Sequence, residues 1–207
     1  ADGTYQEKFL DGQRVALGAG PHAGAGHVIR QTVAASGADI VEASADDDKK
    51  YDALVFDATG MTAAATINAA AEDDSKVVIN SGSAADTITG SASANYGDTI
   101  TGGAGNDTIQ FGNTDLTTLD NVDGGTGTNT LSFTEDLGHA LEDADFTNVT
   151  NFQTLTASGL LSGTIGAEAA EAGITSVTLA DTDGDDVLTV DAGFTNTLAV
   201  TLDSDDT

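Results

Sequence analysis

Nine consecutive residues restrict this chain more than any other feature. Gly102-Gly103-Ala104-Gly105-Asn106-Asp107-Thr108-Ile109-Gln110 has glycine at its first, second and fourth places, an acid at the sixth and a large apolar residue at the eighth. The first six residues predict a tight turn in which glycines let carbonyl oxygens point at a hard cation, with the Asp107 carboxylate added to them. The last three predict a short strand, Ile109 facing a core and Thr108 and Gln110 facing outward. One such loop supplies only some of the six to eight oxygens that Ca²⁺ takes. It therefore requires stacked neighbours.

Degenerate copies flank it. Ser81-Gly82-Ser83-Ala84-Ala85-Asp86-Thr87-Ile88-Thr89 keeps the acid and the apolar position, and Tyr96-Gly97-Asp98-Thr99-Ile100-Thr101 repeats the ending. Gly124-Gly125-Thr126-Gly127-Thr128-Asn129-Thr130-Leu131-Ser132 fits with Asn in place of Asp. Four related endings within so short a window mark a repeat.

On these residues the chain resembles the RTX family of calcium-binding β-roll proteins, and within it the large bacterial surface-layer (S-layer) proteins and adhesins. The resemblance implies an all-β fold, a right-handed parallel β-helix or β-roll solenoid, in which each nonapeptide makes half a coil. Loops two repeats apart then share an ion. Asp86, Asp107 and Asn129 follow one another at 21 and 22 residues, near one coil of roughly 18 plus a small insertion. The Asp86 and Asp107 loops are expected to hold one Ca²⁺ and the Asp107 and Asn129 loops another, weaker one, with Asp98 on the opposite edge. Carbonyls of Gly82, Ala84, Gly103, Gly105, Gly125 and Gly127 would complete the shells. The resemblance further implies secretion by a type I system to the extracellular face of the cell, self-association into a lattice or fibre, and a cell-surface glycan as a possible anchor.

Composition agrees with a cation partner. Thirty-four acidic residues against 6 basic ones give a formal charge of −28, which repels nucleic acid and anionic lipid and attracts cations. Self-repulsion of that size opposes a compact state, so folding is expected to be linked to divalent cation binding. Cysteine is absent and Trp is absent; small and β-branched side chains suit a thin, regular solenoid. No run of 18 apolar residues calls for membrane insertion, and no basic-then-apolar signal peptide opens the chain. The ending Asp203-Ser204-Asp205-Asp206-Thr207 breaks off within another acidic turn, so a longer polypeptide is expected.

A second pattern of strand, glycine turn, strand and acidic loop recurs. Val55 to Ile67 is echoed by Thr189 to Leu202, and Val149 to Ala157 and Ile174 to Leu179 read as further alternating strands. Residues 52–207 are therefore expected to form the solenoid, with the clearest calcium repeats at 81–132, and residues 1–51 a small N-terminal cap or linker. Helical excursions are predicted at His139 to Ala144 and at Ala167 to Ala172, the latter stopped by Gly173. Asp181-Thr182-Asp183-Gly184-Asp185-Asp186 opens like an EF-hand, but the twelfth position is Ala192 rather than the bidentate Glu. Aligned on its ending it is another nonapeptide-like turn, with Asp183 and Asp186 as candidate ligands and a solvated acidic loop as the plain alternative.

The enzymatic rival lies at the start. Val15 to Leu17, the loop Gly18 to Gly26, a helix from His27 to Ser36 and a strand near Asp39 to Val41 would form the opening of a dinucleotide-binding unit, with Glu42 at the ribose. The Gly20-x-x-x-Gly24-x-Gly26 spacing is similar to that of short-chain dehydrogenases, yet their Tyr-x-x-x-Lys is missing. Among His22, His27 and His139 there is no His-Glu-x-x-His, and no Gly-x-Ser-x-Gly elbow exists. The reading is a non-enzymatic, calcium-rigidified surface protein. The alternatives are a calcium-dependent folding and secretion module of a secreted enzyme and, further off, an oxidoreductase fragment.

Overall fold

A computed structural model describes residues 53–202 apart from 73–75, 94, 113, 135–139, 160 and 181–185, together with the backbone of three earlier strands. Every strand pairing is parallel, and consecutive strands alternate between two sheets, so the chain winds as a β-solenoid. The first sheet stacks β1 (Val15–Leu17), β3 (Ile40–Ala43), β5 (Thr66–Asn68), β7 (Thr87–Thr89), β9 (Thr108–Phe111), β11 (Thr130–Phe133), β13 (Thr154–Ala157), β15 (Ser176–Leu179) and β17 (Ala199–Thr201). The second stacks β2 (Val28–Thr32), β4 (Ala53–Asp57), β6 (Lys76–Asn80), β8 (Thr99–Thr101), β10 (Asn121–Asp123) and β12 (Val149–Thr150). A further pair, β14 (Ser162–Ile165) with β16 (Val187–Val190), takes over beyond β12.

Register follows from alternation. Ile67, Ile88, Ile109, Leu131, Leu155 and Val177 succeed one another in the first sheet, each fully buried, while their sequence neighbours point the other way and, apart from the buried Ser132, are partly or fully exposed. In the second sheet Phe56, Ile79, Ile100, Val122 and Val149 form the facing column. A slip of one residue would turn a whole strand inside out, which is why so short a strand as Thr-Ile-Thr still has one register. Each buried Ile contributes about 1.5–3 kcal/mol relative to exposure. Aromatic residues are few but are spent inside: Phe56, Phe111, Phe133, Phe146 and Phe152 are all buried, and a Cβ at Gly90 would fall 2.4 Å from the Phe111 ring.

The helix predicted at Ala167 to Ala172 is present as α1 (Ala167–Ala172), ended by Gly173 at φ 103°. Its exposed N–H groups are met from another coil, because Asp143 accepts from Gly166 N at 2.6 Å and Ala169 N at 3.0 Å through Oδ1. The excursion predicted at His139 to Ala144 is instead a 3₁₀ turn at Asp143–Phe146; His139 lies outside the described residues. Leu141 explains the shift, since it is buried and bridges Gly163 in parallel, leaving no room for a helix to begin before it. The run Val149 to Ala157 divides into β12 and β13, on different sheets, at Asn151, which sits at φ 64°. Where the dinucleotide reading requires a helix between His27 and Ser36, the chain forms β2.

Candidate cation site in the stacked glycine loops

The residue at the repeat-acid place does the same job in successive coils. Its first side-chain oxygen accepts the backbone N–H of the equivalent residue one coil earlier. Asp86 Oδ1 accepts from Ala65 N at 2.7 Å, Asp107 Oδ1 from Asp86 N at 2.8 Å, Asn129 Oδ1 from Asp107 N at 2.9 Å, and Gln153 Oε1 from Asn129 N at 2.8 Å. The predicted stack of Asp86, Asp107 and Asn129 is thus one column. On the opposite edge Asp98 Oδ1 accepts from Val77 N at 3.2 Å and Asp120 Oδ1 from Asp98 N at 2.6 Å. Asp186 begins a third edge, accepting from Leu161 N at 2.5 Å. Asp183 lies outside the described residues.

Above this column the loops press backbone on backbone. Gly103 and Gly125 lie at φ 94° and 79°, and Gly105 and Gly127 at 134° and 131°, so the same two motif places are left-handed in successive coils. A Cβ at Gly105 would fall 2.3 Å from Ala84 O, and one at Gly127 only 1.8 Å from Gly105 O. The Gly82, Gly103 and Gly125 places stack likewise, Gly82 O and Gly103 O accepting from Ala104 N and Thr126 N. Glycine is required here for close approach as well as for torsion.

The second oxygen distinguishes the layers. Asp86 Oδ2 accepts from Ser81 Oγ at 2.5 Å and Gly82 N at 3.2 Å. Asp98 Oδ2 accepts from Ser91 N at 2.7 Å, and Asp120 Oδ2 from Thr117 N at 2.6 Å. In Asn129 the corresponding atom is a donor, Nδ2, which reaches Asn151 O at 2.9 Å and Gly125 O at 3.3 Å. Asp107 Oδ2 is buried and has no hydrogen-bond partner among the described residues. Gly102 stands where the earlier coil has Ser81, so the hydroxyl that serves Asp86 is missing. A Cβ at Gly102 would lie 2.8 Å from Asp107 Oδ2 and 2.6 Å from Gly124 O, which places a carboxylate oxygen and a carbonyl oxygen around the same small space.

The electrostatics follow from burial. Desolvation pushes the Asp107 carboxyl up to about 6, against the lowering effect of the Asp86 N–H and with the Asp86 charge adding to the rise. Desolvation also pushes Asp98 up to about 6, opposed by the Ser91 hydrogen bonds and aided by the Asp120 charge. Asp120 is raised too, first by burial. Among the described residues no three His, Cys, Asp or Glu side chains gather as a metal cluster, so a cation in these loops would be held largely by backbone carbonyls.

Sequence reasoning missed Asp120, Asp143 and Gln153. Asp120-Asn121-Val122 carries the acid-x-apolar ending 22 residues after Asp98, and Gln153-Thr154-Leu155 copies Asn129-Thr130-Leu131 with a longer amide. Both signals were present in the chain. Asp143 has no such signature, because its partners are N–H groups of a helix 23 or more residues away. No helix of the described residues is long and apolar enough to cross a membrane. No protein-family model matches the chain, and no curated protein or solved structure shows significant similarity to it.

Proposed function

We propose that this chain is a calcium-stabilised structural segment of an extracellular surface protein, of S-layer or adhesin type, that folds and self-associates when Ca²⁺ is supplied. The observation that carries this reading is Asp107 Oδ2, a buried carboxylate oxygen without a donor beside the Gly124 carbonyl. A buried unpartnered acceptor costs about 1–3 kcal/mol, and more when charged. Hard oxygen donors around a small space fit a hard cation, which would supply the missing positive charge. The neighbouring layers fit one less well: Asp86 has both oxygens served, and Asn129 already places an N–H in the corresponding space. One ion beside Asp107 is therefore the core of the proposal, in place of the two expected above and below it. The rest of the chain supports a mechanical role, since stacked coils supply length and stiffness, and a charge of −28 keeps the chain expanded where calcium is scarce.

The test is Asp107→Asn. An amide would donate to Gly124 O as Asn129 donates to Asn151 O. The variant should melt higher than wild type in chelator and show a much smaller rise on adding millimolar Ca²⁺. An unchanged calcium response in the variant would overturn the assignment. Electron microscopy of the wild type with and without Ca²⁺ reads out assembly separately.

A further inference from the structure

The outward face of the first sheet is unlike the rest of the surface. Thr66, Thr87, Thr108, Thr130 and Thr154 succeed one another in register along it, followed by Ser176. Two residues further along each strand a second rank, from Asn68 to Thr178, contains only Asn, Thr, Gln and Ser. From β5 to β17 no outward position of this sheet is charged, in a chain of net charge −28. The second sheet, by contrast, presents Asp57, Lys76 and Asp123. Within the protein few of these hydroxyls are engaged: Thr89 Oγ1 donates to Gln110 Oε1 at 3.3 Å, while those of Thr87, Thr108, Thr130 and Thr154 bond to nothing among the described residues.

Two parallel ranks on a stacked sheet form a mesh, with rungs roughly 4.8 Å apart and ranks roughly 6.6 Å apart. Threonine makes that mesh rigid, because its β-branch restricts χ1 and little entropy is lost when the hydroxyl is engaged. Each site offers a methyl and a hydroxyl, so it can order water as well as bond to it. A ligand that rewards such a face must be uncharged, flat and periodic on the same scale. The oxygen layers of ice have that chemistry, being uncharged, flat and periodic, with donors and acceptors at every site. Many weak contacts in fixed register then add as one multivalent site.

We infer that the Thr-lined face of the first sheet is a binding surface for ice or ice-like ordered water. This is independent of the calcium reading except that both require the coils to be folded. The experiment measures thermal hysteresis and uptake of the protein into slowly growing ice, in Ca²⁺, for wild type, Thr108→Tyr, Thr130→Tyr and Thr99→Tyr. The last changes an outward residue of β8 on the second sheet and controls for bulk alone. Circular dichroism confirms folding of each. Wild type and Thr99→Tyr should enter the ice and depress its growth; Thr108→Tyr and Thr130→Tyr should lose both effects. Exclusion of folded wild type from ice overturns the inference, as does equal loss in all three variants. A face-to-face dimer abolished by Thr108→Tyr, without ice uptake, overturns it in favour of a second copy of this chain.

Discussion

A single residue type, the repeat acid, has two oxygens with separate uses, and its variants along the stack show what each oxygen requires. Oδ1 always caps an N–H of the preceding coil, so Asn and Gln can replace Asp there without loss. Oδ2 requires a donor: Asp86, Asp98 and Asp120 each have one, whereas Asp107 has none among the described residues. Asp86→Ala would therefore strip the partners of Ala65 N, Ser81 Oγ and Gly82 N. It should destabilise the fold by about 1–3 kcal/mol per stranded buried group, measured by urea unfolding, while the calcium-induced rise in Tm is retained. Loss of that rise would place the ion between the Asp86 and Asp107 loops instead. The raised carboxyls at Asp98 and Asp107 also fix a pH dependence. Both hold their proton more tightly folded than unfolded, so their contribution is complete below 3.8 and is lost as pH rises through about 6. Without calcium the Tm should fall between pH 4.5 and pH 7.5, and Asp107→Asn should flatten part of that fall.

At the scale of elements, the glycine loops decide whether coils can touch. Gly127→Ala puts a methyl where Gly105 O already lies, at a left-handed φ. Backbone strain alone costs on the order of 1–3 kcal/mol, and the overlap adds to it, so the variant should lose cooperative thermal unfolding by circular dichroism rather than merely shift it. A native-like melt would show that the loops separate more easily than their packing implies. The same scale shows what the sequence made legible. Strand identity and coil spacing were readable because Thr-Ile-Thr and its relatives fix both face and period, and α1 was readable because Ala and Glu run into a terminating glycine. The corner at Asn151 was not. Nothing in Val149 to Ala157 marks a break, and only the positive φ of one Asn, bonded through Nδ2 to Asp123 Oδ1 at 2.7 Å, turns the chain from one sheet to the other. The 3₁₀ turn was displaced for a similar reason, a tertiary pairing of Leu141 that leaves no local trace.

For the molecule as a whole, a solenoid has stability distributed along one axis, since each coil contacts only its neighbours. The described coils are unequal. Those spanning Val77 to Leu155 have every inward apolar residue buried and are covered by a coil on each side. The last has β17 paired on one edge, and Val187, Val190, Val200 and Leu202 are about half exposed. Charge runs the same way, because all Lys and Arg residues precede Val77 while acids continue to the end. With no basic residue to offset them, the later coils have more repulsion and less burial. Opening should therefore begin at that end and proceed coil by coil toward the middle, as local unfolding does where apolar contacts are fewest. Native-state hydrogen exchange should find amides of β16 and β17 least protected and those of β7 to β11 most protected. Adding Ca²⁺ should raise protection first around Asp107, several coils away from the weak end. Uniform protection along the axis would show that the coils unfold together and that repulsion at one end is shared by all.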